Sequence, residues 1–158
     1  MALYNTLLES TPKVSPKTPD SVREPRVSGL DLNYNPKTER LTYSARVHSN
    51  STPSNYDVLI EFSDVKQNQG LTEEEIQQGF QPKPSLNNNE VKVFCNCTNY
   101  RFRFDEPNRS NGVGTGPAFP TYVRKTNRAP NNPAQLPGVC SHIIELMNYL
   151  VTQGFIID

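Results

Sequence analysis

The chain has 158 residues, enough for one ordinary domain, and its formal net charge is zero. A neutral chain has no general attraction to nucleic acid or to an anionic membrane surface. Hydrophobic residues make up only 34% of the sequence and 14 prolines are present, so we expect a small core and much loop or extended backbone. No stretch approaches the ~20 apolar residues of a membrane span. We therefore expect no membrane contact, and nothing in the sequence indicates a small-molecule substrate.

The N-terminal part of the chain is rich in proline. Residues 1–9 contain enough apolar side chains for one or two helical turns, and four prolines follow between Pro12 and Pro25. Proline at this density blocks helix interiors and favours extended backbone. We therefore predict an extended arm over residues 1–38 that orders against a partner subunit. A disordered tail is the alternative.

The middle segment, residues 39–89, predicts a β-hairpin followed by a short helix. Residues 41–48 and 56–63 alternate apolar and polar side chains, which is the period of half-buried strands. A turn-rich loop separates them, so antiparallel pairing is expected. Thr72 and Glu75 have the spacing of a capping box, which predicts that a helix begins there.

Two short motifs contain all three cysteines and one of the two histidines: Cys95-Asn96-Cys97 and Cys140-Ser141-His142. Each motif offers two soft ligand atoms one residue apart. Four thiolate or imidazole ligands form the closed tetrahedral set that structural zinc uses. The sequence therefore predicts one Zn²⁺ bound by Cys95, Cys97, Cys140 and His142. We also expect a chelator to unfold residues 90–152 and to leave the hairpin partly structured.

Two other interpretations of these residues remain open. The cysteines could be three unrelated buried thiols, because free cysteine packs as a small hydrophobe. A catalytic Cys–His pair is the second alternative. On a helix, Cys140 and His142 would point about 200° apart, which argues against shared proton transfer. We therefore expect no enzymatic activity.

The elements around the two motifs predict how they meet. Residues 91–94 read as a strand that leads into Cys95, and Tyr100–Phe104 alternates again, which predicts a second strand. From 105 to 137 we expect a long loop without regular structure. A helix from about Val139 to Gln153 has one apolar stripe. The predicted fold is α+β, with small antiparallel hairpins and a C-terminal helix joined by the zinc site.

The arrangement C-x-C…C-x-H resembles the SWIM zinc finger, a ββα module. The matching residues are Cys95, Cys97, Cys140 and His142, and the second pair opens an apolar helix as that family requires. The resemblance covers residues 90–152, within a module that we assign to 90–158. The gap of 42 residues between the pairs is longer than usual for the family, and we place the extra residues in an inserted loop, 105–137. The chain also looks like phage-encoded proteins of this type.

The resemblance implies a protein-binding or nucleic-acid-binding role. We expect a structural or interaction subunit of a large assembly, such as a phage virion, with other protein subunits as partners. The alternative is a nucleic-acid-binding accessory protein that uses the locally basic segment 98–137. The candidate contact residues are all basic and lie in that segment: Arg101, Arg103, Arg124, Lys125 and Arg128.

The cysteine count indicates a reducing compartment. Three cysteines cannot all pair in disulfides, and Met1 to Ser10 has neither the basic region nor the apolar run of a secretory signal. We expect synthesis in the cytoplasm of the cell or of a host, with a virion as a further location. Formal glycosylation motifs begin at Asn50, Asn96 and Asn108, and without a secretory route we interpret them as chance matches.

Overall fold

A computed structural model describes residues 2–14, 27–48, 54–117 and 136–157 of the chain. In chain order the elements are α1 (Tyr4–Val14), β1 (Val27–Asn35), β2 (Arg40–His48), β3 (Asn55–Phe62), α2 (Glu73–Gln77), β4 (Val91–Cys95), α3 (Thr98–Arg103), α4 (Asp105–Ser110) and α5 (Ser141–Thr152). The strands form one sheet in the order β1-β2-β3-β4, with every neighbouring pair antiparallel. The predicted α+β class is confirmed.

The predicted hairpin is confirmed as β2 and β3. Their register places Tyr43 opposite Ile60 and Leu41 opposite Phe62, and all four side chains are buried. Because side chains alternate along a strand, these residues lie on one face of the sheet, where their apolar surface is buried away from water. The predicted capping box is also present, because the Glu75 N–H donates to Thr72 Oγ1 at 3.2 Å and the Thr72 N–H donates to Glu75 Oε1 at 3.1 Å.

Helix α5 covers the inner face of the sheet and contacts all four strands. The predicted apolar stripe is confirmed as buried: Val139, Ile143, Leu146, Met147 and Leu150. After the helix, Ile156 is buried and the Ile157 N–H donates to the Pro84 carbonyl at 2.9 Å. One hydrophobic cluster runs through the predicted segments 39–89 and 90–158, which share the sheet through direct pairing of β3 with β4.

The N-terminal segment is not an extended arm in its described parts. Residues 4–14 form α1, and Tyr4, Leu7 and Thr11 are buried on its inner side. Spacings of three and four place these residues on one helical face, and their burial stabilises the helix. Residues 27–35 form β1, the end strand of the sheet, and 15–26 lie outside the described residues.

The predicted second strand at Tyr100–Phe104 is wrong, because this stretch lies in α3 and the turn that follows it. Tyr100 and Phe104 are both fully buried, whereas Phe102 is 39% exposed. A spacing of four puts the first two aromatic rings on one face of a helix, with Phe102 on the other side. The first ligand pair therefore lies at a strand-to-helix junction, and a ββα order around it is not observed.

The predicted structureless loop 105–137 is wrong in its first part. Residues 105–110 form α4, and the chain then runs beside β4, where the Val93 N–H donates to Val113 O at 2.8 Å and the Thr115 N–H donates to Val93 O at 3.2 Å. Residues 118–135 lie outside the described part of the chain. No helix among the described residues has the length and apolar character needed to cross a membrane.

Candidate metal centre

The structure brings the four predicted ligands together. One ligand atom from each of Cys95, Cys97, Cys140 and His142 lies within 4.8 Å of the other three. His142 Nδ1 is 3.9 Å from Cys95 Sγ and 3.9 Å from Cys140 Sγ. The three cysteines are buried and His142 is half-buried. These four side chains could hold a metal ion.

Three secondary-structure boundaries place the ligands. Cys95 ends β4, where it pairs with Val58 of β3. Cys97 is the N-cap of α3 and Cys140 is the N-cap of α5, both with extended backbone. Because Cys140 precedes the helix with ψ 171°, its side chain does not follow helical spacing relative to His142. The expected divergence of about 200° between these two side chains is therefore wrong, and they converge.

The sulfur atoms accept backbone hydrogen bonds. The Tyr100 N–H donates to Cys97 Sγ at 3.3 Å, and the Cys97 N–H donates to Cys95 Sγ at 3.5 Å. Such donors stabilise negative charge on sulfur. Three thiolates and a neutral imidazole around a divalent ion sum to −1, so these amides reduce the cost of burying that charge.

The three thiols have different acidities in the chain alone. Hydrogen bonds from the Cys140 and Cys95 thiols lower the pKa of Cys97, and the Tyr100 amide acts in the same direction. Burial raises the pKa of Cys95 and of Cys140, where the thiolate would lie in an apolar environment. The surroundings of Cys97 therefore favour the thiolate, the form that binds metal, more than those of the other two cysteines do.

His142 has an aromatic neighbour. Its ring lies 4.8 Å from the ring of Tyr56, centroid to centroid, with the two planes tilted by 49°. Tyr56 belongs to β3 and is partly buried. The imidazole therefore lies between Tyr56 on β3 and the sulfur atoms, which its Nδ1 faces.

A buried hydrogen-bond network also connects the two ligand motifs, in addition to the contacts among the four candidate ligands. Asn108 in α4 is fully buried, and its Nδ2 donates to Gly138 O at 2.9 Å and to Tyr100 Oη at 3.1 Å. Its Oδ1 accepts from the Gly138 N–H at 2.9 Å. Tyr100 Oη in turn donates to Val93 O at 2.9 Å. The network links β4, which carries Cys95, to the backbone two residues before Cys140.

Helix α1 holds the same backbone from the other side. The Val139 N–H donates to Thr11 Oγ1 at 3.0 Å, and Ser10 Oγ donates to the Pro137 carbonyl. A Cβ atom on Gly138 would lie 2.6 Å from Cε1 of Phe104 and 2.9 Å from Thr11 Oγ1. Glycine at this position is therefore a steric requirement of the close packing between α1, α3 and the segment before α5.

Sequence reasoning missed these supporting residues. In the sequence, Asn108 is only the start of a chance glycosylation motif, and no spacing rule links it to Gly138, 30 residues away. The Pro137-Gly138 pair lies just before the predicted start of the last helix, and no pattern there indicates a contact with α1 or α4. Both roles depend on tertiary contacts that no local pattern encodes.

The predicted basic contact residues divide into two groups. Arg101 is exposed and Arg103 half-buried on α3, and the Arg101 guanidinium carbon lies 5.1 Å from the centroid of the Phe102 ring. Arg124, Lys125 and Arg128 lie outside the described residues.

Comparisons of the chain with protein-family models, with curated proteins and with solved structures give no match. The likeness to SWIM zinc fingers therefore remains a resemblance in the spacing of four residues. Function has to be argued from the site itself.

Proposed function

We propose that the chain binds one Zn²⁺ through Cys95, Cys97, Cys140 and His142, and that the metal has a structural role. The convergence of the four ligand atoms supports this proposal. A tetrahedral zinc ion with bonds of about 2.0–2.3 Å places its ligand atoms about 3.5–3.8 Å apart. The two sulfur–nitrogen distances of 3.9 Å are within a few tenths of an ångström of that geometry.

The ligand chemistry favours zinc over other common ions. Three thiolates and an imidazole are soft or borderline donors, which Mg²⁺ and Ca²⁺ do not prefer. Four protein ligands also complete a tetrahedral shell and leave no position for water or substrate. A closed shell of this kind supports a structural rather than a catalytic role for the metal.

Metal analysis of the purified protein tests the site. We expect about one equivalent of zinc per wild-type chain and a large loss in Cys97→Ser. Cobalt substitution gives a second readout, since tetrahedral thiolate coordination produces strong visible absorption. Less than half an equivalent in freshly purified wild type would refute the proposal. His48→Ala is the matched control, because His48 lies on β2 and its Nδ1 pairs with Asn55 Oδ1 at 3.0 Å.

We further propose that the zinc-stabilised domain is a structural or interaction subunit of a larger assembly, such as a phage virion. Exposed apolar side chains support this role. Ile76 and Phe80 are 40% and 50% exposed and lie four residues apart at the end of α2, and Ile157 is also 40% exposed. Exposed apolar side chains are unfavourable in water, and a partner that covers them removes this cost.

A nucleic-acid-binding accessory protein is the second candidate function. The observation in its favour is the exposed pair of Arg101 and Phe102 on α3, next to the metal centre. An arginine stacked on an exposed aromatic ring offers both a phosphate contact and a surface for base stacking. The other predicted contacts for this role are Arg124, Lys125 and Arg128.

A salt series distinguishes the two roles. Binding to random DNA is measured at increasing salt for wild type and for charge reversal of Arg124, Lys125 and Arg128. Phosphate contacts give affinity that falls steeply with salt and is lost in the variant. That result would overturn the assembly role. Weak binding that does not change in the variant supports it.

A further inference from the structure

The four-stranded sheet has one covered edge and one open edge. On β4, the Val91 N–H donates to Ala2 O at 2.9 Å and the Val93 N–H donates to Val113 O at 2.8 Å, so other parts of the chain cover that edge. On β1, no segment that the structure describes pairs with the side that faces away from β2. An open edge presents unpaired backbone N–H and C=O groups, to which a further strand can add.

The apolar side chains of β1 are only partly covered. Leu30, Leu32 and Tyr34 pack against the hydrophobic core, and each is half-buried. Tyr43 and Leu41, which lie opposite Leu32 and Tyr34 on β2, have a strand on each side and are fully buried. A strand added beside β1 would cover the apolar surface that remains exposed on its three side chains.

The second half of β1 has little protection against such pairing. The strand contains neither lysine nor proline, the residues that commonly block pairing at a sheet edge. Its one charged residue, Asp31, is exposed and forms no ion pair with another described residue. The bulge between Ser28 and Asp31 interrupts the first half of the strand, whereas residues 31–35 pair regularly with β2.

This half of β1 is also complementary to itself in antiparallel orientation. When Leu32 lies opposite Leu32 of a second copy, Leu30 lies opposite Tyr34, and Asp31 lies opposite Asn33. Apolar residues then meet on one face, and on the other face each carboxylate meets a neutral amide. A register centred on Asp31 would place two aspartates opposite each other, which is destabilising. A register centred on Asn33 would leave Leu30 outside the paired strands.

We propose that two copies of this chain pair along β1 in the register centred on Leu32, so that their two four-stranded sheets join into one continuous sheet. The contact is isologous, because both copies contribute the same strand, and it therefore closes after two copies. The dimer is then the unit from which the proposed assembly is built, so the inference rests on that proposed role.

Analytical ultracentrifugation of the zinc-loaded full chain over a concentration series measures the dimer. Asn33→Asp places a second carboxylate opposite Asp31 at two symmetry-related positions, and Asn33→Lys places an ammonium group there. Asn33 is exposed, so neither change affects the core. Asp31→Asn combined with Asn33→Asp exchanges the two residues and removes the repulsion. The matched control is Asn87→Asp, which changes an exposed asparagine in the loop before β4.

We expect wild type to form dimers as concentration rises. The dimer dissociation constant should rise about threefold to tenfold in Asn33→Asp, fall in Asn33→Lys, and stay near wild type in the exchange variant and the control. A chain that stays monomeric at every concentration would overturn the proposal, and another segment or protein would then cover β1. Self-association that is unchanged in Asn33→Asp, or weakened in Asn33→Lys, would also overturn it. Failure of the assembly role is distinguished by the salt series with DNA, and circular dichroism verifies that each variant is folded.

Discussion

Replacement of Asn108 by alanine tests whether the hydrogen-bond network holds the second ligand motif. The amide makes two hydrogen bonds with the backbone of Gly138, at 2.9 Å each, and both partners are buried. Alanine leaves the N–H and the carbonyl of Gly138 without these partners. A buried unsatisfied polar group costs about 1–3 kcal/mol, so the two together cost about 2–6 kcal/mol. That is a large part of the 5–15 kcal/mol typical of whole domains.

Urea unfolding of the zinc-loaded protein measures this loss, with the free energy of unfolding obtained by linear extrapolation. Asn111→Ala is the matched control. Asn111 is three residues further on and exposed, and its Nδ2 donates to Pro107 O at 2.7 Å. We expect a cost of about 1 kcal/mol or less there. If the two variants differ by less than about 1 kcal/mol, the backbone of Gly138 does not depend on Asn108, and the network argument fails.

Two further substitutions test the packing around the centre. Gly138→Ala should destabilise the fold by about 1–3 kcal/mol, because its Cβ would meet the Phe104 ring at 2.6 Å; an unchanged unfolding midpoint would show that the ring moves aside freely. Tyr4→Phe should leave stability unchanged or raise it by about 1 kcal/mol, since burial raises the pKa of Tyr4 and its hydroxyl has no hydrogen-bond partner among the described residues. A clear loss of stability or of zinc retention would instead mean that the hydroxyl donates to a group at the metal centre.

Local patterns in the sequence predicted the elements whose burial follows a simple period. Alternation predicted β2 and β3, and the stripe from Val139 to Leu150 predicted α5. The ligand set needed no structural knowledge, because three cysteines and a histidine in two short motifs leave few other groupings. The convergence of the four ligand atoms agrees with that choice.

Two other elements, α3 and β1, were predicted wrongly because their residues are compatible with more than one structure. Tyr100, Phe102 and Phe104 satisfy strand alternation, but only the first and third are buried, as a helix requires. In β1, Leu30, Leu32 and Tyr34 also alternate, yet the prolines before them favoured an arm. Gly29, with φ +60°, accompanies the bulge between Ser28 and Asp31 and interrupts the pattern. Tertiary contacts decide between the alternatives at both places.

The supporting residues of the centre could not be predicted, for a physical reason. Asn108 and Thr11 hold the chain before Cys140 across 30 and 128 residues of sequence. Each is polar and buried, and burial of a polar side chain is favourable only when its partners are in place. Those partners are backbone groups, which have no signature in the sequence.

The proposed metal and the Asn108 hydrogen bonds both connect the two ligand motifs. This changes the expected effect of removing the metal. The sequence alone favours unfolding of residues 90–152 with survival of the hairpin. In the structure, β3 pairs with β4 from Val58–Cys95 to Phe62–Val91, and α5 packs on the hairpin itself. The hairpin therefore has no core of its own, and it cannot remain folded once β4 and α5 are lost.

We instead expect the metal-free chain to stay folded with reduced stability, because Asn108 and Thr11 still hold the segment before Cys140. Far-UV circular dichroism should change little on chelation, while the unfolding midpoint in urea falls and the transition remains single and cooperative. Chelated Asn108→Ala should have a lower unfolding midpoint than the chelated wild type, because it lacks both the metal and the Asn108 hydrogen bonds and keeps only the bond to Thr11. Complete unfolding of the chelated wild type would show that the metal alone holds the two motifs together. A biphasic transition would show that the hairpin and the C-terminal helix are separate units after all.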